Sequence, residues 1–250
     1  MIEDKNSLTA AILIIGNEIL SGMTQDQNVK YIAQKLILKG IDLMEVRIIP
    51  DIESDIIENV NHLRKKYDYL FTTGGIGPTH DDITSSSIAK ALGVKLVVNK
   101  IAYQYLQDFY HQRGQAMLPS SEKMALIPEN AELIDASITK APGFVIENVF
   151  VMAGIPSIMQ DMFNDVDNKL QALSPFIIKH FTVNIGESRI SEILTDLQNK
   201  YAQVNIGSYP FKIENLYSTK IVFKSKDEEL VDKAMKDFSK TLKTLEIEYV

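Results

Sequence analysis

The stretch Thr72-Thr73-Gly74-Gly75-Ile76-Gly77-Pro78-Thr79-His80-Asp81-Asp82-Ile83-Thr84 decides how this chain is read. It follows the short strand-like run Tyr69–Thr72. It precedes a helical pattern that runs from Asp82 or Ile83 to Leu92 and closes at Gly93. Three glycines within four residues, at a strand's carboxyl end, permit close backbone approach to a ligand. The helix start adds unpaired N–H groups and a positive dipole end, which favour an anion. Thr79 and Thr84 add hydroxyl donors, so the stretch suits a phosphate or pyrophosphate. Asp81 and Asp82 would repel such a ligand unless a divalent cation lay between. Mg²⁺ commonly takes one or two carboxylates together with substrate phosphates. The plainer alternative is a glycine turn in which one aspartate caps the helix, and the two roles are compatible. The glycine spacing matches neither the P-loop nor the dinucleotide fingerprint.

Working outward, strands and helices alternate. Ala10–Ile15 is a continuous apolar run, as in a strand buried on both faces. A polar loop with Gly16 and Gly22 follows. Asn28–Lys39 carries Val29, Ile32, Ala33, Leu36 and Ile37 at helical spacing, closed by Gly40. Leu43–Ile49 reads as a strand. Pro50-Asp51 opens a helix with Ile52, Ile56, Val60 and Leu63 on one face. Together these predict a parallel sheet with crossover helices. Phe144–Ile146 and Val149–Met152 read as a hairpin turning at Glu147-Asn148. Gly154-Ile155-Pro156-Ser157 leads into a helix ending near Leu170.

Ser174-Pro175 is the best domain boundary, giving domains over 1–173 and 176–250. Beyond it the pattern is strand Ile177–Ile185, helix Glu187–Tyr201, strands Gln203–Ser208 and Leu216–Lys224 around a Gly/Pro/Asn turn, helix Asp227–Leu242 and strand Glu246–Val250. That order, βαββαβ, predicts a small α+β domain.

Composition narrows the function classes. The 250 residues hold 26 basic and 33 acidic side chains, a net charge of −7. A bulk field of that sign disfavours nucleic acid as a partner. The absence of cysteine excludes disulfides, thiolate metal sites and a cysteine nucleophile, and fits a cytoplasmic location. The polar, acidic start reads as no secretory signal. The apolar runs are too short to span a membrane, so no membrane partner is expected.

Two further loops carry candidate chemistry. In an open parallel sheet, loops at the strands' carboxyl ends share one edge. The loop Gly16–Gly22 and Asp51 are therefore expected to face the glycine stretch. Glu18 suits a metal ligand, a general base or a hydrogen-bond acceptor, or is a solvated loop carboxylate. Asp51 also suits helix capping. His62, His80, His111 and His180 lack zinc spacing. Tyr103, Tyr105, Phe109 and Tyr110 read as the core and surface of one helix, or as a stacking wall for a flat ring.

The stretches Ile15–Gly22, Asn28–Leu36 and Thr72–Thr84 resemble the MoaB/Mog-type molybdopterin-binding domain, in the form carried by competence/damage-inducible CinA proteins. Lys123, Ala141-Pro142-Gly143-Phe144 and Gly154-Ile155-Pro156-Ser157 extend the likeness over roughly residues 8–170. Gly207-Ser208-Tyr209-Pro210, with the strand and helix after it, is similar to the domain attached to the molybdopterin-binding-like half of eukaryotic FAD synthase. The nucleotidyltransferase half of that enzyme and the deamidase domain of full-length CinA proteins have no counterpart in the sequence.

The resemblance implies a three-layer α/β domain with a mostly parallel sheet, plus the small α+β domain. It implies divalent-metal-dependent hydrolysis (Mg, Mn or Co) of a dinucleotide pyrophosphate such as ADP-ribose or FAD. The alternative is a pterin-type cofactor-binding module without hydrolysis. A third option is a non-catalytic interaction protein. No flavin or haem prosthetic group is expected. The implied partners are a nucleotide or pterin-phosphate small molecule and further copies of the chain, as a dimer or trimer. Carried over by position, Glu18, Asp51 and Asp82 form the catalytic set, and Asp81 and Asp82 the metal ligands. Gly16, Asn17, Ser21, Gly74, Gly75, Gly77, Pro78, Thr79, Thr84, Lys123, Gly154, Pro156 and Ser157 form the ligand-binding set. The chain departs from the usual CinA pattern in two places. Asn17 stands where threonine is usual. Ala153-Gly154-Ile155-Pro156-Ser157-Ile158 stands where a Pro-Gly-x-Pro-Ser-Glu run is usual, which removes a glutamate from the last loop.

Overall fold

The computed structural model describes residues 7–213 and 216–249. The chain divides into two compact units, Met1–Leu173 and Ser174–Val250.

In the first unit the elements run β1 (Leu8–Ile15), α1 (Asn17–Leu20), α2 (Asn28–Leu38), β2 (Ile41–Ile49), α3 (Glu53–Lys66), β3 (Tyr69–Thr73), α4 (Thr84–Leu92), β4 (Leu96–Val98), α5 (Lys100–Gln112), α6 (Pro119–Glu122), β5 (Leu126–Pro128), β6 (Glu132–Ile134), β7 (Gly143–Ile146), β8 (Val149–Met152) and α7 (Pro156–Lys169). Six strands form the main sheet in the order β2-β1-β3-β8-β7-β6. The first four run parallel; β7 and β6 continue antiparallel.

Alternation along β1 builds a core on each face. Ala10, Ile12 and Ile14 join Ile32 and Leu36 of α2, Phe71, Phe150 and the Met159, Phe163 stripe of α7. Ala11, Leu13 and Ile15 join Ile56, Val60 and Leu63 of α3, with Ile88, Ala102 and Leu106 from α4 and α5. The result is the expected three-layer α/β fold with a mostly parallel sheet. Each fully buried Leu or Ile contributes about 1.5–3 kcal/mol. Truncating one in this packing, as in Leu36→Ala, would cost about 2–5 kcal/mol.

Local readings change at several points. The first polar loop contains a single helical turn, α1. Neither Asp51 nor Asp82 caps a helix: α3 and α4 begin after Ile52 and Ile83, with no side-chain cap. The helix ahead of β10 begins only at Ser191, after a 3-10 turn at Glu187–Arg189.

The second unit comprises β9 (Ile177–Val183), α8 (Ser191–Lys200), β10 (Asn205–Ile213), β11 (Leu216–Ser225) and α9 (Glu228–Thr244). Its antiparallel sheet has the order β10-β11-β9. Gly207-Ser208-Tyr209-Pro210 lies inside β10 rather than in a turn. Pro210 is tolerated there because β10 is an edge strand, where a missing N–H costs no ladder bond. The expected strand Glu246–Val250 reduces to a single bridge between Val183 and Tyr249; Val250 lies outside the described residues. The reason is local. α9 continues to Thr244, and Glu246 takes a left-handed φ of 55° to end it, which leaves little chain to extend.

Candidate functional site

Four parallel strands end at the same edge, so the loops after β1, β2, β3 and β8 meet there. Their backbones touch. Gly74 N donates to the Met152 carbonyl at 3.1 Å, and Gly16 N to the Ile49 carbonyl at 3.1 Å. At Gly75, φ is 69° and the space a Cβ would need lies 2.1 Å from Thr84 Oγ1. That hydroxyl is buried and has no hydrogen-bond partner. The chain therefore turns tightly over Thr84 and presents bare backbone.

A cavity of about 630 Å³ opens on this edge, within the range of small-molecule sites. Glu18, Asp51, Asp81 and Asp82 line it, with Gly74, Gly75, Gly77, Pro78, Thr79, Gly154 and Pro156. Eleven of the residues expected from the sequence thus line one cavity. Gly16, Asn17, Ser21, Thr84, Lys123 and Ser157 do not line it. Asn17 N donates to Asp51 Oδ2 at 2.9 Å, which ties the first loop to the end of β2. Ser21 Oγ donates to the Glu18 carbonyl at 3.2 Å. Lys123 Nζ donates to the Thr79 carbonyl at 2.5 Å and borders a small adjoining pocket with Ser85 and Ser86. Its ammonium steadies the loop from behind.

The aspartate pair has unusual geometry. Thr79 Oγ1 lies 2.6 Å from Asp81 Oδ1 and within hydrogen-bond distance of Asp82 Oδ2. Thr79 N also donates to Asp82 Oδ2, at 2.8 Å. One hydroxyl carries one proton, so it serves only one carboxylate at a time. Two carboxylate oxygens thus converge on one hydroxyl proton, and the Thr79 N–H gives Asp82 a second donor. The Thr79 hydroxyl, Asp81's own backbone N–H and the charges of His80 and Lys123 hold the Asp81 carboxyl below its ordinary value. It stays ionised at neutral pH. Among the described residues no three His, Asp or Glu side chains gather to form a metal cage. The donor set fits a cation that takes two protein carboxylates and completes its shell from substrate, as Mg²⁺ does.

The last loop adds a helix start. α7 begins at Pro156 with no side-chain cap, and Gly154, Ile155, Pro156 and Ile158 line the cavity. Pro156 carries no N–H, and Ile158 N and Met159 N donate to the Ile155 carbonyl, so what the start offers is the partial positive charge of the helix end. Ile158, where the CinA pattern has glutamate, supplies an apolar contact instead.

The remaining wall was less visible in the sequence. Phe109 and Tyr110 of α5, Met124, Thr139, Ala141 and Met162 are among the residues that form it. Of the four aromatics on α5, Tyr103 packs on the core and Tyr105 faces solvent. Asn28 is a further addition: its buried side-chain amide donates to the Gly154 carbonyl at 2.8 Å and fixes the last loop. A polar residue opening an apolar-striped helix was the available signal. His80 stands out in solvent, 3.9 Å from Asp81. No described helix is long and apolar enough to cross a membrane.

Comparison with known proteins agrees with this geometry. Residues 11–171 match the family described as a probable molybdopterin binding domain, and residues 175–250 match the FAD synthase middle domain. A protein of Archaeoglobus fulgidus is 33% identical over 92% of this chain and 96% of its own length. A CinA-like protein of Desulfosudis oleivorans is 38% identical over 62% of this chain, which spans 38% of that relative. The crystal structure of the CinA protein of unknown function from Thermoplasma acidophilum superposes with a TM-score of 0.61 at 28% identity, covering 66% of this chain and 99% of that one.

Proposed function

This chain belongs to the probable molybdopterin binding domain family, in its CinA-type form, and on that premise we propose that it hydrolyses the pyrophosphate linkage of a dinucleotide such as ADP-ribose or FAD, with a divalent cation. The observation that carries the proposal is the convergence of Asp81 and Asp82 on one hydroxyl, in a cavity that also holds Glu18 and Asp51. The match to the FAD synthase middle domain supports a nucleotide-related role.

Asp81 and Asp82 would hold the cation. When bound, it supplies charge neutralisation at the phosphoryl oxygens and polarises them for attack. Gly74 and Gly75 let the pyrophosphate lie against bare backbone. The uncapped start of α7 meets its charge with a positive dipole end. The Glu18 carboxylate takes the proton from the attacking water. Asp51 acts through Asn17, whose N–H it holds, and so positions the loop that carries Glu18. None of these steps needs a covalent nucleophile.

A second reading is a pterin-type binding module without hydrolysis. The hydrogen bonds that Thr79 makes to both aspartates favour it, because the loop is then ordered by its own contacts. Turnover assays separate the two. Purified protein is expected to release AMP from ADP-ribose or FAD with Mg²⁺, Mn²⁺ or Co²⁺ and to stop with a chelator. No turnover with any metal would sink the hydrolase reading, and tight molybdopterin binding alone would favour the module.

A further inference from the structure

We infer that the Phe109–Tyr110 corner of the cavity is a subsite for a flat, uncharged aromatic ring, which would make the cavity two-ended. The inference builds on the proposed function, because the carboxylate and glycine end would take the phosphates of the same ligand.

The corner is assembled by helical spacing. Ala102 and Leu106 of α5 are buried in the core. The next turn of the same stripe reaches Phe109 and Tyr110, beyond the core, where the cavity begins. The two rings are perpendicular, at 88°, with centroids 5.6 Å apart. A corner of this kind offers one ring face and one ring edge to a third ring, the two arrangements aromatic pairs prefer. Both rings are braced. The Arg113 guanidinium lies 3.5 Å from the Phe109 centroid. The Tyr110 hydroxyl accepts from the buried Ser121 Oγ at 2.9 Å. A braced wall loses little freedom when a ligand arrives. Met124, Ile155, Ile158 and Met162 add apolar side chains to the lining of the same cavity. With isoleucine at 158, the last loop brings no carboxylate of its own to the cavity.

The shared chemistry is a planar heterocycle, and a purine or a pterin would satisfy it. The test is calorimetric titration with Mg²⁺ of ADP, of free pterin and of inorganic pyrophosphate, which has no ring. ADP or pterin is expected to bind more tightly than its ring-less counterpart allows, and the better of the two identifies the ring. Phe109→Ala is expected to weaken that ring-bearing probe by about 5- to 100-fold, the size of one lost stacking contact, and to leave pyrophosphate unchanged. Tyr110→Phe keeps the ring while losing the Ser121 bond, and is expected to retain binding. If Phe109→Ala weakened pyrophosphate as much as ADP, or weakened neither, the ring subsite would be wrong. It would also be wrong if the wild type bound pyrophosphate as tightly as ADP and ignored pterin. A wild type that binds ADP through Phe109 without cleaving any dinucleotide would overturn the hydrolase proposal and leave the subsite standing.

Discussion

At Gly74 the backbone takes φ 102°, and the point where another residue would place its Cβ lies 2.0 Å from the Ile15 carbonyl oxygen. The obstacle is the backbone of β1, so nothing flexible can move aside. Gly74→Ala is expected to cost at least about 2 kcal/mol, read as a lower urea midpoint, while alanine at the open Gly93 position serves as the strain-only control. The sequence made Gly74 legible, since only a few residue types suit a strand-end turn of this kind. Asp51 and Asp82 were less legible. Pro50-Asp51 and Asp82-Ile83 carry the ordinary signs of helix caps, yet Asp51 binds Asn17 and Asp82 binds Thr79. A cap is decided by neighbours in sequence. The Asn17 partner lies 34 residues away and becomes a neighbour only when β1 and β2 pair.

Between elements, β2 and α3 are joined by Glu45. Its carboxylate accepts from the Tyr67 hydroxyl at 2.6 Å, Lys66 at 3.0 Å and Arg47 at 2.6 Å. The Tyr67 bond, then those of Lys66 and Arg47, lower the Glu45 carboxyl from 4.5 to about 2. The folded state therefore binds this proton more weakly than the unfolded chain. The resulting stability is fully present above about pH 4.5 and is lost as the pH falls through about 2. Water reaches the group, so the contribution is under about 1 kcal/mol. Glu45→Gln is expected to flatten the fall in stability across that window in pH-dependent unfolding, and Tyr67→Phe to raise the Glu45 titration point seen by NMR. Strands and helices of the first unit were legible here because long apolar periods outweigh local exceptions. The short β4, β5 and β6 were not, because a three-residue strand carries too little alternation to register. The final strand failed for a related reason: α9 runs to Thr244 and the left-handed turn at Glu246 takes up the start of the expected strand, leaving a single bridge at Tyr249.

For the molecule as a whole, an acidic chain is proposed to handle phosphates, and its net charge of −7 works against it. The cavity meets that difficulty locally, with bare glycine backbone, a helix start and two carboxylates placed to recruit a cation. The parallel-sheet edge that unites these loops was readable from strand order alone. For the aromatics of α5 the sequence left core, surface and stacking wall open, because α5 reaches the cavity through packing against α6 and the turn at Lys123–Ala125, which pattern alone does not show. The most direct measurement is ADP-ribose turnover with Mn²⁺ by the intact chain and by Asp82→Ala, checked for equal folding by circular dichroism. Metal-dependent release of AMP by the wild type, falling on the order of 10²-fold in the variant, is the predicted result. Turnover that survives Asp82→Ala, or none in the wild type with any divalent metal, would contradict it.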